Sequence, residues 1–188
     1  AIINGGILTV TYSTFFDNQS FYGGGGISND GTLTVSNSSF AGNNAYAGYG
    51  GGIYNQGAVT IRHSTFFGNW ANHGGGIFNN DQYSGAVTLK NMIIANSTSG
   101  GNCYGTITDG GGNLSYPDTT CPGINDNPRL GSLQNNGGPT ETMAIDPRSA
   151  AFDAANDATC AAPPVNNHDQ RGITRPQRSH CDIGAYEY

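Results

Sequence analysis

Side chains able to do acid–base chemistry are sparse in this chain. Between residues 1 and 102 the acids are Asp17, Asp30 and Asp81, and the fully charged bases are Arg62 and Lys90. Cleaving an acidic polysaccharide needs paired carboxylates, or a bound cation beside a Lys or Arg. Asp17 aligns with Gly42 and Gly68 in the repeat described below, so it has no acidic neighbour there, and Asp30 and Asp81 fall in turns. Arg62 and Lys90 continue a column begun by Thr11 and Ser36, which reads as a solvated face. His168, Asp169, Arg171 and Arg175 are more closely grouped, and an Asp held by Arg in a polar loop accounts for them without catalysis. His63 and His73 lack the paired spacing of metal ligands. Asp118, Asp126 and Asp146 offer oxygen ligands for Ca2+ from separate loops, with no spaced calcium motif joining them. The expectation is no enzymatic activity and no cofactor. A different chemistry is open to Tyr46, Tyr49, Tyr54, Phe78 and Trp70, aromatics near one corner able to stack on sugars. A carbohydrate-active enzyme or a glycan-binding module is therefore the alternative reading.

These residues are positioned by a repeat. GGGI followed by Asn one residue later occurs at Gly24–Asn29, Gly50–Asn55 and Gly74–Asn79. Aligned on Phe15, Phe40, Phe66 and Ile94, the copies are 25, 26 and 28 residues apart. Each carries an alternation such as Leu33-Thr34-Val35, with one buried and one outward face. A unit this short, expected to hold three short strands, cannot bury its apolar face alone, but stacked copies share an interior. The expected fold is all-β, a single-stranded parallel β-helix of about five coils over residues 1–102 and an irregular last coil, rising ~4.8 Å per coil. Stacking turns sequence repeats into columns: Asn4, Asn29, Asn55 and Asn79 in one, Asn18, Asn43 and Asn69 in a second, and Phe15, Phe40 and Phe66 inside. Amides both donate and accept, so Asn columns satisfy themselves. The glycines are expected to turn corners at positive φ. Their recurrence excludes a nucleotide-binding loop, which would appear once between a strand and a helix.

Composition changes after residue 102. All 8 prolines and all 4 cysteines follow it, with ten acids and five Arg. Residues 103–188 are expected to form the irregular coil and a disulfide-stapled cap, packed with the coils as one domain. Four cysteines allow three connectivities, and closure of a coil favours Cys103 with Cys121 and Cys160 with Cys181. An even cysteine count in a Lys-poor chain points to an oxidising, extracellular compartment. A net charge of −6 with 7 basic residues argues against nucleic acid as a partner. No apolar run is long enough to insert in a membrane. Asn18, Asn37, Asn96 and Asn113 begin N-x-[ST] triplets. The Thr column 9, 34, 60 and 88 reads as exposed strand rather than an ice-ordering array, because Arg62 and Lys90 interrupt its neighbour.

Two resemblances cover nearly the whole chain. Gly75-Gly76-Ile77 and the pairs Phe15/Asn18, Phe40/Asn43 and Phe66/Asn69 resemble the GGAI and FxxN repeats of polymorphic outer membrane proteins, with Ile93 taking the Phe place before Asn96. Asn127-Pro128-Arg129-Leu130-Gly131, Gln134 to Thr140, Asp169-Gln170-Arg171-Gly172, Arg175-Pro176 and Cys181 to Tyr188 resemble the carboxy-terminal signature of the choice-of-anchor Q family of bacterial surface proteins. That resemblance implies a secreted right-handed parallel β-helix, displayed at or released from a bacterial surface. It implies no reaction.

The leading expectation is a structural or adhesive extracellular protein. Ile2 and Ile3 at one end, and Ile183, Tyr186 and Tyr188 at the other, would form strand-like edges joining copies head to tail, closing or growing into a filament.

Overall fold

The computed structural model describes residues 1–188. The chain winds as a β-solenoid of about five turns. Sheet 1 stacks Ile2–Asn4, Ile27–Asn29, Ile53–Asn55, Ile77–Asn79 and Cys103–Tyr104. Sheet 2 stacks Ile7–Thr11, Thr32–Ser36, Ala58–Arg62, Ala86–Lys90 and Ile107–Asp109. Sheet 3 runs from Thr14–Phe16 through Ser39–Ala41, Thr65–Phe67, Ile93–Ala95 and Leu114–Tyr116 to Ile124–Asn125. All neighbours within these sheets pair in parallel, as connections that return to the same face of the next coil require.

The first three coils carry a fourth face that the expected three strands per coil do not include. Gln19–Ser20, Asn44–Tyr49 and Trp70–His73 form it. Its inward positions are small, Ala45 and Ala71, both fully buried, so it lacks the branched apolar alternation that marks the other faces.

Packing inside the coils follows the columns. Phe40 lies flat between Phe15 and Phe66, with centroids 4.4 and 4.3 Å away. Each fully buried Phe is worth about 1.5–3 kcal/mol in apolar burial, with more from ring contact. Asn4 Nδ2 donates to Asn29 Oδ1 (2.7 Å), Asn29 to Asn55 (2.8 Å) and Asn55 to Asn79 (2.8 Å). In the second column Asn18 Nδ2 donates to Asn43 Oδ1 and Asn43 to Asn69, each at 2.9 Å.

The glycine corner has two causes rather than the one expected. Gly50 and Gly74 have φ of 68° and 59°. At Gly52 the cause is space, because a Cβ would meet the carbonyl oxygen of Gly76 at 2.5 Å. The register of the fourth coil bears out the alignment of Ile94 with the Phe column and corrects only the placing of Ile93 at the Phe position of the FxxN repeat. Ile94 pairs with Phe66, and Ile93 with Thr65. Asn96, at φ 54°, therefore occupies the corner of Asp17, Gly42 and Gly68, all at positive φ. Asn102 Oδ1 accepts instead from Ser97 N, which follows that corner.

Both expected disulfides are present, Cys103–Cys121 and Cys160–Cys181. Cys103 follows Ile77 in sheet 1, and both halves of its disulfide belong to the apolar cluster of Leu89 and Ile94, so the bridge closes the lumen at the carboxy-terminal end.

The remaining chain does not continue that plug. A hairpin of Leu130–Gln134 and Thr142–Ile145 leads back towards the first coil, where Thr14 Oγ1 donates to Glu141 O at 2.6 Å and Thr140 Oγ1 to Tyr12 O at 3.1 Å. The segment after it then lies along the solenoid's flank, over the corner between sheets 2 and 3. Gln170 is fully buried there. Its Nε2 donates to Thr14 Oγ1 at 2.8 Å and its Oε1 accepts from Ser39 Oγ at 2.7 Å. Ala185 N reaches Thr65 Oγ1, and Gly184 N reaches Asn91 O. The cap is thus a lateral strap. Ser36 is also buried, so the column read as solvated is covered at that position. Ile183 is fully buried, no residue from 183 to 188 is in a strand, and only Tyr188 among the three expected contact residues is exposed at 48%. The carboxy-terminal part of the expected head-to-tail edge is therefore absent, because the strap has consumed it.

Candidate functional site: an aromatic cleft beside the glycine corner

Outward positions of sheet 1 pair Tyr54 with Phe78 and Phe78 with Tyr104. Their rings stack, with centroids 5.5 and 4.9 Å apart. On the fourth face Tyr49 pairs with His73, ring to ring at 5.7 Å. The Gly50–Gly52 and Gly74–Gly76 corners lie between these columns. With no side chains to hold the two faces apart, Tyr49 meets Phe78 at 4.7 Å and His73 meets Tyr104 at 5.2 Å.

A polar wall completes the cleft. Asn55 and Val59 are four residues apart, whereas Asn79 and Val87 are eight apart, and the extra residues form the short helical turn Asp81–Tyr83. Asn80 caps it by accepting from Gln82 N at 3.2 Å, and Asn80 Nδ2 donates to Tyr54 Oη at 3.1 Å. The cleft encloses about 390 Å3 and is lined by Tyr49, His73, Phe78, Tyr104 and the Asn79–Gln82 edge. That lies within the ~300–1,000 Å3 range of small-molecule sites. Asp81 is its sole carboxylate, already accepting from Asn79 Nδ2 (2.9 Å) and Thr106 N (3.0 Å). Tyr49 and Tyr104 expose 43% and 50% of their surface, so both rings have a wet side.

Of the five aromatics singled out from sequence, the structure gathers Tyr49, Tyr54 and Phe78. Trp70 instead pairs with Tyr46, at 6.4 Å. His73 and Tyr104 were missed. Tyr104 follows Cys103 as Phe78 follows Ile77, and aligning the irregular coil on its first strand would have found it.

The His168–Arg175 group lies in the strap, away from this cleft. Asp169 is fully buried, accepts from Arg171 N and Nε at 2.8 Å each, and also receives Glu187 N. His168 is exposed, and its ring Nδ1 meets Asn166 O. Arg175, 1% exposed, inserts against the coils, and its Nη1 contacts His63 Nδ1 at 2.5 Å. The other ring nitrogen of His63 faces Asn91 Nδ2 at 2.7 Å. Burial, and then the Arg175 charge, push His63 well below the ordinary histidine range. Burial likewise raises Asp182 and Glu187, whose charges lie beside Arg175. These groups form a latch that fixes the strap.

Asp118, Asp126 and Asp146 are not brought together. Asp118 accepts from Asn102 N and Thr120 N, and Asp146 is paired with Arg148. No cluster of three or more metal-ligating side chains forms. Asn37 and Asn113 are buried, so their triplets are inaccessible in the folded chain. No helix is long and apolar enough to cross a membrane. No known protein family, curated protein or solved structure matches this chain.

Proposed function

We propose that this chain is a non-catalytic, extracellular adhesive β-solenoid that binds neutral glycan chains at the aromatic cleft. The observation that carries the reading is the convergence of two outward ring columns on one cleft, with exposed faces on Tyr49 and Tyr104. Sugar rings present C–H faces that pack on aromatic faces, while Gln82, Asn80 and His73 supply hydrogen bonds along one side. The cleft has no Lys or Arg, and its single carboxylate together with a net charge of −6 disfavours uronate and sulfate chains. A lone Asp already engaged by Asn79 and Thr106 offers no acid and base pair for glycosidic cleavage. Two disulfides fit an oxidising compartment.

Affinity electrophoresis through gels containing neutral or uronate-rich polysaccharides tests this. Retardation by neutral chains alone, with no new reducing ends after prolonged incubation, is expected. Release of new chain ends would make the protein an enzyme, and free migration through every gel would remove the glycan reading.

A further inference from the structure

The fourth face carries a second pair of outward rings. Ala45 and Ala71 pair with each other and are fully buried, so their neighbours Tyr46 and Trp70 point outward. The two rings lie 6.4 Å apart with their planes tilted by 48°, so neither lies flat on the other's face. Tyr46 is 49% exposed and Trp70 half-buried. Asn44–Tyr49 is the central strand of its sheet, paired on both sides, so the exposure of Tyr46 belongs to the outer face and not to a sheet edge.

A bulge brings this pair into line with the cleft. Ala71 pairs with Ala45 and His73 with Tyr49, so Tyr46, Ala47 and Gly48 stand opposite Asn72 alone. Tyr46 and Tyr49 are three positions apart, and strict alternation would send one of them inward. The extra residues re-aim the strand instead, and both rings reach the outer side. Gly48 is the buried member of the bulge, where a Cβ would meet Tyr22 O at 1.8 Å. Ala47 N donates to Phe21 O at 2.9 Å and Tyr49 N to Tyr22 O at 3.3 Å, so the bulge is tied down. Tyr49 is also a wall of the cleft, so the two aromatic platforms share one strand and lie no more than about 10 Å apart along it. Between them the surface is exposed Ala47 and Asn72, and neither strand carries a carboxylate, Lys or Arg.

We propose that Tyr46 and Trp70 form a second subsite for the same neutral glycan, so that one chain lies from the cleft across Tyr49 onto the fourth face. The proposal rests on the glycan reading of the cleft. A low, uncharged floor lets a sugar chain cross without desolvating an ion, and the rings at either end offer faces to its C–H surfaces.

Trp70 is the chain's single tryptophan, so its emission reports contact at this subsite directly. A disaccharide and a hexasaccharide of one neutral polymer are titrated, with calorimetry and Trp70 emission read together. The hexasaccharide is expected to shift the emission, and the disaccharide, held in the cleft, to leave it unchanged. Y46A is expected to weaken the hexasaccharide about five-fold and to leave the disaccharide within about two-fold, while Y46F, which keeps the ring, binds both as the original chain does. Hexasaccharide binding that leaves the emission unchanged, or that Y46A does not weaken, would overturn the second subsite and leave the cleft standing. Failure of both sugars to bind would overturn it together with the glycan reading. Emission that shifts with protein concentration in the absence of sugar would also overturn it, because the occupant would then be a second copy.

Discussion

Replacing Asn55 by Ala removes an interior rung of the first ladder. Asn55 is fully buried, accepts from Asn29 Nδ2 at 2.8 Å and from Gly57 N at 3.1 Å, and donates to Asn79 Oδ1 at 2.8 Å. The substitution leaves Asn79 Oδ1 and Gly57 N–H without these partners and halves the bonding of Asn29 Nδ2, which keeps only Gly31 O. Each buried group left unsatisfied costs about 1–3 kcal/mol, so two to three such groups amount to roughly 3–5 kcal/mol. N4A is the matched control at the edge. It removes the donor to Asn29 Oδ1, a single buried acceptor, and should cost about 1–2 kcal/mol. Guanidinium unfolding of the oxidised protein, followed by circular dichroism, reads both. At a slope of about 4 kcal/mol/M, N55A should lower the midpoint by about 1 M, with the slope unchanged. Equal losses for N55A and N4A would refute the ladder as a directional, internally satisfied column.

Three further outcomes follow from the geometry. F40A removes the middle ring of the stack and should cost about 3–5 kcal/mol by chemical denaturation, whereas F16A, 59% exposed on the same face, should cost under about 1 kcal/mol. His63, held below its unfolded value near 6.5, contributes stability that is fully present above pH 6.5 and lost as pH falls below it, by up to about 1.4 kcal/mol per pH unit. Asp182 and Glu187 act in the opposite sense, since their raised values make the native state take up protons first and gain stability as pH falls through them. H63Q keeps an acceptor for Arg175 and should flatten the loss between pH 6.5 and 5, and an unchanged pH profile would discard the latch. Native Cys160 and Cys181, both fully buried, should resist a thiol reductant until the strap is unfolded, as mass measurement after alkylation would show.

Columns were legible in the sequence because a stacked coil puts repeated residues in contact. Asn29 and Asn55, 26 positions apart, are neighbours for the same reason that both follow a GGGI. The fourth face was not legible, since Asn44–Tyr49 buries only small residues inward and carries no apolar alternation. The strap was hidden by distance along the chain: Gln170 meets Ser13 across 157 positions, and no repeat announces such a contact. Arg175 read as a loop residue beside Asp169, yet it crosses to His63, 112 positions away. For the cleft, Tyr49, Tyr54 and Phe78 were recognisable as aromatics near one corner. His73 escaped because it was weighed as a metal ligand, and Tyr104 because it stands in the irregular coil beside a cysteine.

Titration calorimetry with the neutral oligosaccharide that binds best, comparing the original chain with Y104A, tests the glycan reading most directly. Tyr104 is half-exposed and stacks on Phe78, so its removal should cost about 0.5–1.5 kcal/mol of stability and leave the chain folded. At least ten-fold weaker binding is expected from loss of one stacking wall, about 1.4 kcal/mol. Undiminished affinity in Y104A would contradict binding at this cleft.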